Sequence, residues 1–159
     1  MTQRIDHLKQ QPELAAKLTA LTLAVKKSGL PKPLLSLVEI RASQLNGCAF
    51  CLDMHVKDAT IQGERPLRLH HIAIWRESTL FDERERAALA WTEALTQLGP
   101  DGVSDQTYNR ASEQFSQEEL VALTYMVMVI NAWTRASIAF RSVPGSADAL
   151  FGLGKAGLA

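Results

Sequence analysis

Residues 37–59 read LVEIRASQLNGCAFCLDMHVKDA, and within them residues 46–55, NGCAFCLDMH, hold the only two cysteines of the chain, three apart, with a histidine four after the second. Upstream, Leu34, Leu37, Val38 and Ile40 recur at helical spacing, and Asn46-Gly47 suits the left-handed backbone that closes helices. The stretch therefore predicts a helix over about Pro33 to Leu45, a tight stop, and a new helix starting at or near Cys48. With Cys48 in that first turn, Cys48, Cys51 and His55 stand at i, i+3 and i+7, within about 60° of one another on one face.

The same three-and-four spacing extends outward in both directions. A helix over Pro12 to Lys27 repeats Leu14, Leu18, Leu21 and Val25 on one face and stops at Gly29 before Pro31. Another runs over about Pro66 to Trp75. The next opens with Asp82 as N-cap and Glu85 three residues on, and its apolar face is Ala88, Leu89, Trp91 or Thr92, and Leu95. Ser104 caps a short helix over Tyr108 to Phe115, and Ser116 with Glu119 caps the longest, about Gln117 to Arg141. Strand signals are almost absent. The expected fold is an all-α bundle of six to seven helices in a single domain, residues 1–159, with 1–11 and the Gly-rich tail 150–159 loosely held.

Composition narrows the function. A chain of 159 residues that is 47% hydrophobic, with 17 basic and 17 acidic side chains, is one globular domain without the basic footprint of a nucleic-acid binder. The apolar run Leu120 to Ile130 is too short to cross a bilayer and runs into Asn131 and Arg135, so no membrane role is expected. The N-terminus shows no apolar signal segment, which predicts a cytoplasmic protein. Trp75, Trp91 and Trp133 on helices suggest apolar surface beyond the needs of one core, and hence self-association.

In a reducing compartment a lone CxxC is more often redox-active or metal-binding than a permanent bridge. The redox reading uses the helix N-terminus to stabilise a thiolate, and His55 to take or return a proton near neutral pH. Such parts can reduce a peroxide: a thiolate attacks the O–O bond, a sulfenic acid forms, the second thiol condenses with it, and an external dithiol resets the pair. The metal reading needs four ligands for zinc, with His70 or His71 joining Cys48, Cys51 and His55. Inert packing of two buried thiols is the third alternative.

Residues 37–59 resemble the AhpD-like alkylhydroperoxidase branch of the carboxymuconolactone decarboxylase superfamily. WRESTLFDERERAALAWTEAL at 75–95 and INAWTRASIAFR at 130–141 resemble later segments of the same branch, so the likeness covers most of residues 34–141. It implies an all-α fold, homo-oligomers (dimer, trimer or hexamer), and reduction of hydroperoxides without a cofactor. The implied reductant is an external dithiol, of the lipoyl or thioredoxin-like kind. Carried over by position, Cys51 is the peroxidatic thiol, Cys48 the resolving thiol and His55 the relay histidine. The decarboxylase branch typically lacks the CxxC. Two departures stand out. The family glutamate falls at Ser36, leaving Glu39 as the nearest carboxylate, and Thr134 replaces the second Asn of the family's NAWNR.

Overall fold

The computed structural model describes residues 2–158, whose regular elements are all helical. They are α1 (His7–Gln10), α2 (Pro12–Lys26), α3 (Lys32–Asn46), α4 (Ala49–Ile61), α5 (Pro66–His71), α6 (Glu83–Thr96), α7 (Asp105–Gln114), α8 (Gln117–Phe140) and α9 (Asp148–Phe151), with 3₁₀ turns at Ile72–Ile74 and Leu153–Ala156. The expected Pro66-to-Trp75 helix is thus α5 tightening into the first of those turns.

α3 is the centre of the bundle because it is buried nearly all round, with a broad apolar face and Ser36, Glu39 and Ser43 buried on the opposite one. Leu34, Leu35, Leu37, Val38, Ile40 and Ala42 are all buried, and the helix packs against α4, α6 and α8 at once. One apolar cluster joins Leu34, Val38 and Ala42 to Ala88 of α6 and to Leu123, Met126, Val127 and Ile130 of α8. A second joins Leu37 and Ile40 to Ala59, Ile72, Trp75 and Leu89. α8 is long and apolar enough to cross a membrane by length and composition alone, but half of its apolar stretch is buried inside the fold, as in a core helix.

The helix starts follow the capping chemistry of the sequence. Asp82 with Glu85 and Ser116 with Glu119 both form complete capping boxes, and the Ser104 hydroxyl accepts the Thr107 N–H at the head of α7. Two expectations need correction. The Leu14–Val25 stripe of α2 is not a core face: only Val25 is buried, and Leu14 is 66% exposed. The bundle is filled by α3, α4, α6 and α8; of the rest of that stripe Leu18 is half-buried, and Leu14 and Leu21 are exposed. Trp75 and Trp91 do not add surface either, since both are buried and spend their ring N–H groups internally, on Glu93 and Thr124.

Both chain ends make contacts with the rest of the fold. The Arg4 N–H bonds the Phe140 carbonyl, and His7 stacks on the Phe140 ring. At the other end Leu153 is 3% exposed against α4, and Lys57 of α4 pairs with both Asp53 and Asp148. Lys57 is held in its charged form chiefly by the Asp148 hydrogen bond, then by that of Asp53.

Candidate functional site

Gly47 takes φ +67°, ends α3, and turns the chain so that Cys48 becomes the N-cap of α4. Cys48 therefore stands in extended backbone one residue outside the helix, not in its first turn. That placement brings its Cα to 5.3 Å from that of Cys51 and lets the two sulfurs join as a disulfide, which an i, i+3 pair inside a regular helix does not reach. The Cys51 N–H, an orphan donor of the first turn, points at Cys48 Sγ at 3.3 Å. The two residues are 2% and 1% exposed.

A polar network fixes the turn that presents the pair. Asn46 Nδ2, the last residue of α3, donates to Asn131 Oδ1 at 3.0 Å and to Thr134 Oγ1 at 3.1 Å on α8. Asn131 Nδ2 donates in turn to Thr96 Oγ1 of α6. Thr134 thus has a physical account: its hydroxyl accepts from Asn46 and donates to the Asn131 carbonyl, completing a buried chain of bonds. Sequence reading noted Thr134 only as a departure, because the bonds span α3, α6 and α8.

His55 lies one turn beyond Cys51 on α4 and is buried. Its Nδ1 is 3.5 Å from Glu39 Oε2 of α3, a contact of ion-pair range and long for a hydrogen bond. Glu39 is 3% exposed, and its other oxygen sits 2.9 Å from Lys26 Nζ at the end of α2. Burial holds the His55 imidazole below its usual range. Glu39 pulls the other way, Lys26 adds to the lowering, and Asp58 opposes it. The ring is thereby kept neutral near pH 7, able to accept a proton.

Ser36, one turn before Glu39 on α3, is buried at 5% exposure and faces a cavity of about 180 Å³ shared with Glu39, Lys26, Lys32 and Asp58. The structure therefore brings Glu39 to His55 and puts Cys51 and His55 one turn apart, while Ser36 lines the cavity beside Glu39. Lys26 was missed by sequence reading. It sits in the last turn of α2, outside the motif, and carries no periodic or spacing signal. His70 is exposed on α5, and His71 Nδ1 is 3.0 Å from Ser78 Oγ. Among the described residues no three His, Cys, Asp or Glu side chains are grouped to hold a metal ion.

Comparison with known proteins agrees with this architecture. Residues 12–94 match the model of the carboxymuconolactone decarboxylase family. The uncharacterized protein YdfG of Bacillus subtilis (strain 168) is 35% identical over 139 residues, 87% of this chain and 95% of YdfG. A crystal structure of ATU0492 from Agrobacterium tumefaciens, a protein of unknown function with a suggested place in AhpD antioxidant defence, superposes with a TM-score of 0.87 at 38% identity, covering 90% of this chain and 98% of that one. The debrominase Bmp8 shares the fold alone, with a TM-score of 0.79 at 19% identity over 94% of this chain and 80% of its own. A cysteine pair at the head of a helix in an all-α bundle and a match over more than half the chain lead to one conclusion: the protein belongs to the carboxymuconolactone decarboxylase family, in its AhpD-like branch.

Proposed function

We propose that the chain is a thiol peroxidase that reduces hydroperoxides through Cys51 and Cys48 and is reset by an external dithiol. The observation that carries the reading is the Cys48–Cys51 bridge at the N-terminus of α4, one turn from a buried His55 that faces Glu39. In the reduced protein His55 takes the Cys51 proton, and the thiolate attacks the distal peroxide oxygen. The O–O bond breaks, the alkoxide leaves with the proton returned by His55, and Cys51 holds a sulfenic acid. The Cys48 thiol then displaces water to form the disulfide. Two electrons and two protons from a lipoyl or thioredoxin-like dithiol regenerate both thiols.

Assembly as a homo-oligomer belongs to the same proposal. Leu14 and Leu21 of α2 and Val121, Tyr125 and Met128 of α8 form exposed apolar stripes that a second copy of the chain would cover. A second reading, a redox-responsive oligomer with poor turnover, draws on the burial of both cysteines and on Ser36 where the family has glutamate. The debrominase of the same fold, a variant of which has been solved in complex with 2,3,4-tribromopyrrole, shares too little sequence to carry its chemistry here.

The test is where oxidation lands. In reduced Cys48→Ser protein given one equivalent of hydroperoxide, mass spectrometry with a sulfenic-acid trap should find the adduct on Cys51. In Cys51→Ser protein turnover should be abolished. First oxidation on Cys48 in the Cys51→Ser protein, with activity kept, reverses the two roles. An untouched Cys51 in the Cys48→Ser protein is the outcome the second reading expects.

A further inference from the structure

We propose that Lys26, brought in by α2 from outside the cysteine motif, is a positioning residue of the relay: its ammonium clamps one oxygen of Glu39 and turns the other onto His55 Nδ1, leaving Nε2 as the nitrogen that receives the thiol proton. Three observations carry this. Lys26 Nζ is 2.9 Å from Glu39 Oε1, while Oε2 of the same carboxylate is 3.5 Å from His55 Nδ1, so the carboxylate bridges cation and imidazole. Both Glu39 and His55 are buried, whereas the Lys26 side chain is partly exposed and lines the cavity that opens beside Glu39. A buried carboxylate held by one cation has a fixed orientation, and a fixed carboxylate selects the imidazole tautomer that donates to it.

The charge logic runs the same way. The charged groups that face His55 are Glu39 from α3, Lys26 from α2 and Asp58 from its own helix. Without Lys26 only burial would oppose the two carboxylates at the ring, and the Glu39–His55 pair would take up a proton at higher pH. With Lys26 in place its charge adds to burial in keeping the ring neutral and free to act as a base. This inference rests on the peroxidase reading for the purpose of the relay, but not for its geometry.

The experiment is an NMR titration of the intact protein, following the His55 ring resonances identified by their loss in His55→Gln. Lys26→Met should move the proton-uptake midpoint of the pair upward by about one pH unit, and Lys26→Arg, which keeps charge and donors, should return it towards the wild-type value. In the reduced proteins the acid limb of the iodoacetamide alkylation rate should shift in step. Should Lys26→Met not fold, Lys26→Gln removes the charge while still able to donate to Glu39, and should show the same upward shift. A midpoint unchanged by either neutral substitution, or a Lys26→Arg protein as shifted as Lys26→Met, overturns the proposal. Failure of the wild-type protein to consume hydroperoxide would instead sink the peroxidase reading, and the titration would still decide the role of Lys26.

Discussion

At the scale of single residues the site is a buried imidazole between a disulfide and a bridged carboxylate, and each part makes a distinct claim. His55→Ala should cost most of the peroxidase rate, since positioned acid–base groups contribute about 10²–10⁴-fold, and Glu39→Gln a smaller part, both read from initial rates of hydroperoxide loss. Ser36→Glu should raise the rate, because residue 36 faces the cavity beside Glu39 with room for a longer side chain. An unchanged rate there, with loss in Glu39→Gln, would place the whole relay on Glu39. The neutral state of buried His55 also predicts the stability profile. Its folded-state value lies below the unfolded 6.5, so the unfolded chain binds the extra proton first as pH falls. Stability should therefore drop below about pH 6.5, by at most about 1.4 kcal/mol per pH unit for this one proton, and His55→Gln should flatten that part of a denaturation series. Cys48, Cys51 and His55 were legible in the sequence because their spacing is local. Lys26 was not, because only the packing of α2 brings its ammonium to Glu39.

At the scale of elements, the turn between α3 and α4 does the positioning. Gly47 is left-handed there, and a Cβ at this site would meet nothing within 4 Å, so the cost of substitution is conformational rather than steric. Gly47→Ala should lower stability by about 1–2 kcal/mol and slow closure of the Cys48–Cys51 bridge, measured by urea denaturation and by the rate of thiol loss. The Asn46-Gly47 stop, both capping boxes and the Ser104 cap could be read directly, since capping is chemistry between near neighbours in the chain. The burial of each helix face could not. Leu14 and Leu21 have the spacing of a core stripe, yet α3 already supplies the centre of the bundle, and both stay exposed. Cys48 likewise moved from first turn to N-cap, a shift of one residue that decides whether the sulfurs can meet.

At the scale of the whole molecule, the proposed self-association would cover the exposed apolar residues of α2 and α8. Sedimentation at micromolar concentration should give a multiple of the 17.5 kDa chain mass, and a Val121→Glu/Met128→Glu protein should shift towards the monomer while keeping its helical content. A wild-type mass equal to one chain would count against assembly. The account as a whole stands on electron transfer through one cysteine pair. Its most direct test is the stoichiometry of the fully reduced protein with one equivalent of an alkyl hydroperoxide. The account predicts one alcohol formed, two thiols lost and a Cys48–Cys51 bridge found by peptide mapping, all of the thiol loss reversed by a dithiol. Hydroperoxide left intact while both thiols remain titratable would contradict it.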